Sequence, residues 1–221
     1  MRVRFWVIGL AVLTAVSIAT AAVAANEPGS WLLGGQNSSN TRNQPSEATI
    51  NANNVSNLAP KWVLTTAGDV SATPSVDGSR VYFPDSAGWL YAVDRATGAV
   101  VWKTSIAAAT GFAGDYARAT PAVAGSTLVI GAQSGKFETP TTDPSIAGGY
   151  VLGYNKNTGA LRWKTRVDTH FSAMITQSAM IHGNDAYVGV AGNEEVYVNK
   201  TFNGGQPYHA VRSAEAWSSS T

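Results

Sequence analysis

Three observations predict an all-β protein built as an array of four-stranded antiparallel units. A strand-turn-strand phrase occurs twice, a shorter strand-pair phrase occurs three times, and the composition favours turns and pleated surfaces. Of 221 residues, 22 are Gly, 7 Trp and 8 Tyr, the residue types of tight turns and half-buried strands. A hydrophobic content of 44% against 13% charged residues supplies a core and excludes disorder by composition. The formal charge of +1 gives no footprint for nucleic acid or an anionic membrane.

The chain opens with a segment that reads as an address. Arg2 and Arg4 precede an almost wholly apolar run from Phe5 to Ala19, and Ala21 to Ala25 supply small residues suited to signal peptidase. Residues 1–25 are therefore expected to be a signal peptide, cleaved after Ala25 or Ala24. A membrane anchor is the competing reading. It is disfavoured because the run is short, ends in alanines and meets Asn26, Glu27 and Pro28 at once. The expected location is periplasmic or secreted, with no membrane attachment after cleavage. The chain has no cysteine, which excludes a disulfide scaffold, a cysteine zinc site, a C-x-x-C-H haem attachment and a lipoprotein signal.

Residues 26–66 form an N-terminal clasp segment in this reading, and 67–208 hold about three repeats. Ala92-Val93-Asp94-Arg95-Ala96-Thr97-Gly98-Ala99-Val100-Val101-Trp102-Lys103 recurs as Gly153-Tyr154-Asn155-Lys156-Asn157-Thr158-Gly159-Ala160-Leu161-Arg162-Trp163-Lys164. Asp or Asn opens the turn through side-chain hydrogen bonds, Gly supplies a positive-φ position, and Trp packs between neighbouring sheets. The strand-pair phrase starts at Thr73-Pro74-Ser75-Val76-Asp77-Gly78, recurs at Thr120-Pro121-Ala122-Val123-Ala124-Gly125, and returns more loosely from Gln177 to Gly189. Joining the two phrases gives a four-stranded blade, so the expected architecture is a partial β-propeller with tryptophan-docking motifs. The spacing is 47 residues and then 57, the excess falling in Lys136 to Ala147, a Pro/Thr-rich loop. Three blades do not close a ring, so a longer parent protein is expected.

With these motifs the sequence resembles the tryptophan-motif propellers of quinoprotein dehydrogenases, the alcohol dehydrogenases that use pyrroloquinoline quinone (PQQ). Trp31, Gly34, Gly35, Asn40, Thr41, Arg42, Ile50, Asn51, Asn54, Val55, Leu58 and Trp62 follow that family's opening phrase. Val167 to Thr176 further resembles the polyvinyl alcohol dehydrogenase branch. The resemblance runs over roughly residues 31 to 208. It implies a quinone and Ca²⁺ as cofactors, an alcohol substrate (a secondary or polymeric one is favoured), and a cytochrome c as electron acceptor.

The resemblance also implies site residues. Thr176 falls on the threonine that hydrogen-bonds the quinone. Glu194 falls on the glutamate that ligates Ca²⁺, and Glu195 becomes the ligand if the register slips by one; carboxylates are hard-oxygen ligands suited to that ion. Arg118, just before Thr120-Pro121, is a candidate to hold a quinone carboxylate, since guanidinium binds anions in bidentate fashion. A surface arginine at the start of a strand is the alternative. His170 is read as structural, and no catalytic base is assigned.

Residues 209–221 depart from the family pattern, which continues with a vicinal cysteine pair. With permitted synonymous codons, one inserted base after the Tyr208 codon makes them read Pro-Cys-Cys-Ser-Phe-Arg-Gly-Ser-Met-Val-Val-Val-Asp. They are expected to be an out-of-frame tail, a natural divergent tail being the alternative. Two functions remain to be weighed. One is a truncated PQQ-dependent alcohol dehydrogenase, inactive as a fragment. The other is a non-catalytic PQQ-repeat propeller acting as a periplasmic interaction scaffold. The opening phrase, Thr176 and Glu194 favour the first.

Overall fold

The chain is seen in a computed structural model that describes residues 29–133, 145, 148–170, 172–192 and 211–218, the last stretch as backbone. The expected signal peptide lies outside the described residues, as does nearly all of the inserted loop. Among the described residues no helix is long and apolar enough to cross a membrane.

The turns form as their chemistry dictates. Asp94 Oδ1 accepts from the Ala96 and Thr97 amides and from the Thr97 hydroxyl, each at 3.0 Å. Asn155 Oδ1 does the same for the Asn157 amide at 2.9 Å and the Thr158 amide at 3.3 Å. Gly98 and Gly159 then take φ of 76° and 72°, a region closed to most side-chain-bearing residues.

Three antiparallel sheets follow. The first runs β1 (Ser75–Asp77), β2 (Arg80–Pro84), β3 (Trp89–Asp94) and β4 (Val100–Ser105) in order. The second repeats it as β5 (Ala122–Ala124), β6 (Thr127–Gly131), β7 (Gly149–Asn155) and β8 (Leu161–Asp168). The third has β9 (Ala173–Met174), β10 (Met180–His182), β11 (Asp185–Gly192) and β12 (Val211–Ser218), in the order β10-β11-β12 with β9 also on β11. A 3₁₀ turn at Val55–Asn57 precedes the blades. A short helix, α1 (Ile106–Thr110), links the first two; the Ser105 hydroxyl caps it by accepting from the Ala108 amide, and Gly111 at φ 86° ends it. The register refines the repeat. Gly125 and Gly183 hold equivalent hairpin turns (φ 54° and 60°), so the second and third blades are offset by 58 residues and Ser178, not Gln177, matches Thr120.

Successive blades stack face to face. Tyr82, Leu90 and Ala92 of the first meet Leu128, Ile130, Leu152 and Tyr154 of the second. Val129 and Val151 of the second meet Ala186, Val188 and Val190 of the third. A tryptophan dock fastens the outer edge. Trp102 lies against Gly159, where an added Cβ would sit 2.6 Å from the indole, and its N–H donates to the Lys156 carbonyl at 3.0 Å. Lys156 also pairs across blades with Asp77.

The inner edge is fastened by the clasp. Trp31 exchanges two backbone hydrogen bonds of 2.8 Å with Val76 of β1, Leu32 accepts from the Val123 amide of β5 at 2.9 Å, and the Gly34 amide donates to Ser178 Oγ at 3.3 Å. Within four residues the segment therefore touches the innermost strand of the first two blades and the approach to that of the third.

Candidate functional site

The segments that lead into the innermost strands meet at one rim of the array. Arg118 stands four residues before β5, and Thr176 four before β10. They hold equivalent positions on adjacent blades, and both side chains are exposed. This is the setting in which a cation and a hydroxyl can reach a polar ligand without breaking a core.

A third residue ties the two segments together. Gln133, two residues past β6 and 3% exposed, donates its backbone N–H to the Tyr116 carbonyl at 3.0 Å and its Nε2–H to the Ile175 carbonyl at 3.1 Å. The Ile175 amide in turn donates to the Ala132 carbonyl at 3.1 Å. Gln133 thus sets the spacing between the Tyr116–Arg118 stretch and the Ile175–Thr176 stretch. Its Oε1 is buried with no hydrogen-bond partner among the described residues, an acceptor left over where buried acceptors are ordinarily paired.

Electrostatics at this rim centre on Asp115, Tyr116 and Arg118. Asp115 is fully buried, and its Oδ1 accepts from the Tyr116 amide at 2.8 Å. The Tyr116 hydroxyl is held above the usual phenol range by burial, against the nearby Arg118 charge, with the Asp115 carboxylate adding to the rise and a hydrogen bond to Arg118 opposing it. A neutral phenol beside the guanidinium helps to orient Arg118 without neutralising its charge. Gly88, at φ 90°, lets the first blade's hairpin approach this stretch; a Cβ there would lie 2.6 Å from the Asp115 carbonyl oxygen.

The remaining candidates are placed as follows. Glu194 and Glu195 lie outside the described residues. Among the described residues no group of three or more His, Cys, Asp and Glu side chains is disposed to hold a metal ion. His170 sits in a turn: its amide donates to Asp168 Oδ1 at 2.7 Å, and its Nδ1 and Ser172 Oγ are 2.8 Å apart. Asp168 meets the backbone of His170, which is the pattern of a turn.

Sequence reasoning missed Gln133, Tyr116 and Asp115. One signal could have found the first two. The Ser86 amide donates to the Asp69 carbonyl at 2.9 Å in the first blade, and Gln133 to Tyr116 repeats that bond 47 residues later. Applying the repeat spacing to the loops, not only to the strands, marks both positions.

Four-stranded blades, tryptophan docks and a polar rim define a tryptophan-docked propeller protein. The chain belongs to the PQQ_2 family, whose model is described as outer membrane protein assembly factor BamB and matches residues 40–148 and 87–219. It is related to polyvinylalcohol dehydrogenase from a Pseudomonas species, 26% identical over 170 residues that cover 77% of this chain and 24% of that one. A second such dehydrogenase, from Sphingopyxis sp. (strain 113P3), is 25% identical over 140 residues, covering 63% of this chain and 19% of that one. The chain therefore spans about a quarter or less of the length of these relatives. In fold it is similar to a europium-containing methanol dehydrogenase, with a TM-score of 0.56 and 24% identity over 75% of this chain and 28% of that one.

Proposed function

We propose that this chain is the quinone-binding N-terminal part of a PQQ- and Ca²⁺-dependent alcohol dehydrogenase of the polyvinyl alcohol type. The observation that carries the reading is Gln133, which joins the Arg118 and Thr176 segments into one polar rim. The donor set fits the group: a guanidinium steadied by a neutral phenol suits a quinone carboxylate, and an exposed threonine hydroxyl suits a ring oxygen. When bound, the quinone supplies the two-electron acceptor, and Ca²⁺ polarises its carbonyl. In this reading Arg118 binds and orients, Thr176 fixes the ring by hydrogen bonding, Gln133 holds the two apart, and Glu194 or Glu195 ligates the ion. The substrate is an alcohol, including a polymeric one, and a cytochrome takes the electrons. Export to the periplasm fits the basic and apolar N-terminal segment. In this reading the 221 residues alone bind the quinone without turning over, the base for the alcohol proton being supplied by other parts of the parent enzyme.

Tryptophan fluorescence with added quinone, with and without Ca²⁺, tests the reading. Saturable quenching that weakens at least tenfold in both Arg118→Ala and Gln133→Ala is expected, with no dye-linked alcohol oxidation by the chain alone. Absence of quenching in the folded wild type assigns the chain to the scaffold reading instead.

A further inference from the structure

The clasp climbs along the innermost strands as it crosses them. Leu32 bonds at the level of Val123, whereas Gly34 meets Ser178 and Thr120. Thr120 lies closer than Val123 to Arg118, and Ser178 is its counterpart in the third blade, just after Thr176. The clasp is therefore heading for the rim at Gly34, and the turn that follows, residues 35–42, is delivered on the rim side. Gly34 makes the approach because it has no side chain. An added Cβ would stand 3.2 Å from the Ser178 Cβ and 3.7 Å from the Thr120 hydroxyl oxygen.

That turn is strained and tightly determined. Among the described residues, the non-glycine residues at positive φ are Gln36, Asn40 and Arg42, at 76°, 51° and 52°. Asn visits this region readily, whereas Gln and Arg do so at a cost. Local bonds hold them there. Asn37 Oδ1 accepts from the Ser39 and Thr41 amides at 3.0 and 3.3 Å, and its Nδ2 donates to Thr41 Oγ1 at 2.8 Å. That hydroxyl in turn donates to Oε1 of the buried Gln36 at 3.3 Å. The Arg42 amide closes the turn on the Gly35 carbonyl at 3.1 Å, one residue from the contact with Ser178. Strain kept in place by its surroundings marks segments that aim a functional group.

The group aimed here is a cation. Arg42 is exposed, and it makes no ion pair among the described residues. Glu47, the acid nearest to it in the sequence, is turned instead to the Thr49 and Ile50 amides at 2.6 and 2.9 Å. Other cations are engaged elsewhere: Arg80 pairs with Asp94, Lys156 with Asp77, and Lys103 lies over the Trp89 ring. Arg42 thus brings an uncommitted guanidinium to the side of the array that already presents Arg118. Two like charges on one rim repel each other, and an anion with more than one negative group turns that repulsion into attraction.

We propose that Arg42 is a second cation for the quinone, gripping a different carboxylate from the one that Arg118 holds; this rests on the quinone reading of the rim. PQQ is a polycarboxylate, and a guanidinium engages one carboxylate at a time in its bidentate geometry. The clasp is then part of the binding site as well as a fastener of blades. Its strained turn has a use in this arrangement, since it fixes the backbone from which Arg42 reaches and so reduces the ordering cost of binding.

Arg42→Gly gives a test in which loss of binding is separated from loss of fold. Glycine takes φ 52° without penalty, so the urea midpoint is expected to hold or rise. Binding of PQQ to the full chain, read by tryptophan fluorescence, is expected to weaken about tenfold, the worth of one charged hydrogen-bonded contact. Arg42→Lys keeps the charge and is expected to fall between the two. The methyl ester of PQQ, with its carboxylates blocked, is expected to bind wild type and Arg42→Gly alike. Unchanged PQQ affinity in Arg42→Gly, with Arg118→Ala still weakening it, overturns this proposal and leaves the quinone reading standing. Equal weakening toward PQQ and its ester, or a lowered urea midpoint, makes Arg42 a structural residue of the clasp and overturns it too. No binding of PQQ by the folded wild type overturns both.

Discussion

Trp102 seats its indole on the bare face of Gly159, and the same contact recurs between Trp62 and Gly98. Each glycine does two things there. It takes a positive φ, and it leaves the space the indole fills. These two demands separate by mutation. Gly159→Ala meets the indole 2.6 Å away at φ 72°, and the two penalties together are expected to cost about 2–4 kcal/mol. Gly125→Ala, at φ 54° with nothing within 4 Å, carries the backbone penalty alone, about 1 kcal/mol. Urea midpoints of the two variants check this; equal losses would mean that the dock contributes nothing beyond the turn.

The latch between Lys156 and Asp77 joins the outer turn of one blade to the inner hairpin of another, with side chains 21% and 19% exposed. Partial exposure limits its strength. A double-mutant cycle with Lys156→Met and Asp77→Asn is expected to give a coupling of about 1 kcal/mol at low salt, shrinking as ionic strength shortens the screening length. A coupling indistinguishable from zero at low salt would leave the dock as the feature that fastens the blades.

Much of this architecture was legible in the sequence because turn chemistry is local. Asp94 to Gly98 and Asn155 to Gly159 specify their turns within five residues, and the docking tryptophans follow at fixed offsets. What was not legible depends on distant partners. The clasp links Gly34 to Ser178 across 144 residues, and no pattern within either segment announces it. Gln133 was missed because a lone glutamine after a strand carries no motif; its role comes from two backbone carbonyls brought to it by the fold. Val211–Ser218 departs from the repeat in sequence yet pairs with β11 throughout. Strand pairing is made by backbone groups, which many sequences can supply.

Acid dependence is expected to differ between the two turns. Asp94 is held below its usual range chiefly by the Thr97 hydroxyl and amide, with the Ala96 amide and Arg80 helping. A depressed carboxylate contributes stability that is present above its unfolded pKa of about 4 and lost as pH falls through the lower folded value. Asp94→Asn keeps the turn, as Asn155 does naturally, and removes this titration. Its unfolding midpoint is expected to fall less steeply than that of the wild type below about pH 4. Parallel acid limbs in the two proteins would sink the assignment.

At the alkaline end Tyr82 governs a window of its own. Buried between the first two blades with Trp102 at a centroid distance of 6.1 Å, its hydroxyl is pushed up from 10.0 to about 12, first by burial and then by the Asp77 charge, with Arg80 opposing. A raised folded pKa contributes stability that is complete below the unfolded value and lost as pH rises through the folded one. The window is therefore about pH 10 to 12, and a shift of this size corresponds to at most about 2–3 kcal/mol. Tyr154, also buried, moves in the same direction, again mainly through burial. Ultraviolet titration is expected to show Tyr82 and Tyr154 ionising above the usual phenol range, together with loss of the fold. Tyr82→Phe should flatten the decline in stability across that window while leaving the turn of Asp94 untouched. A variant whose alkaline limb matches the wild type would place the titrating group elsewhere in the array.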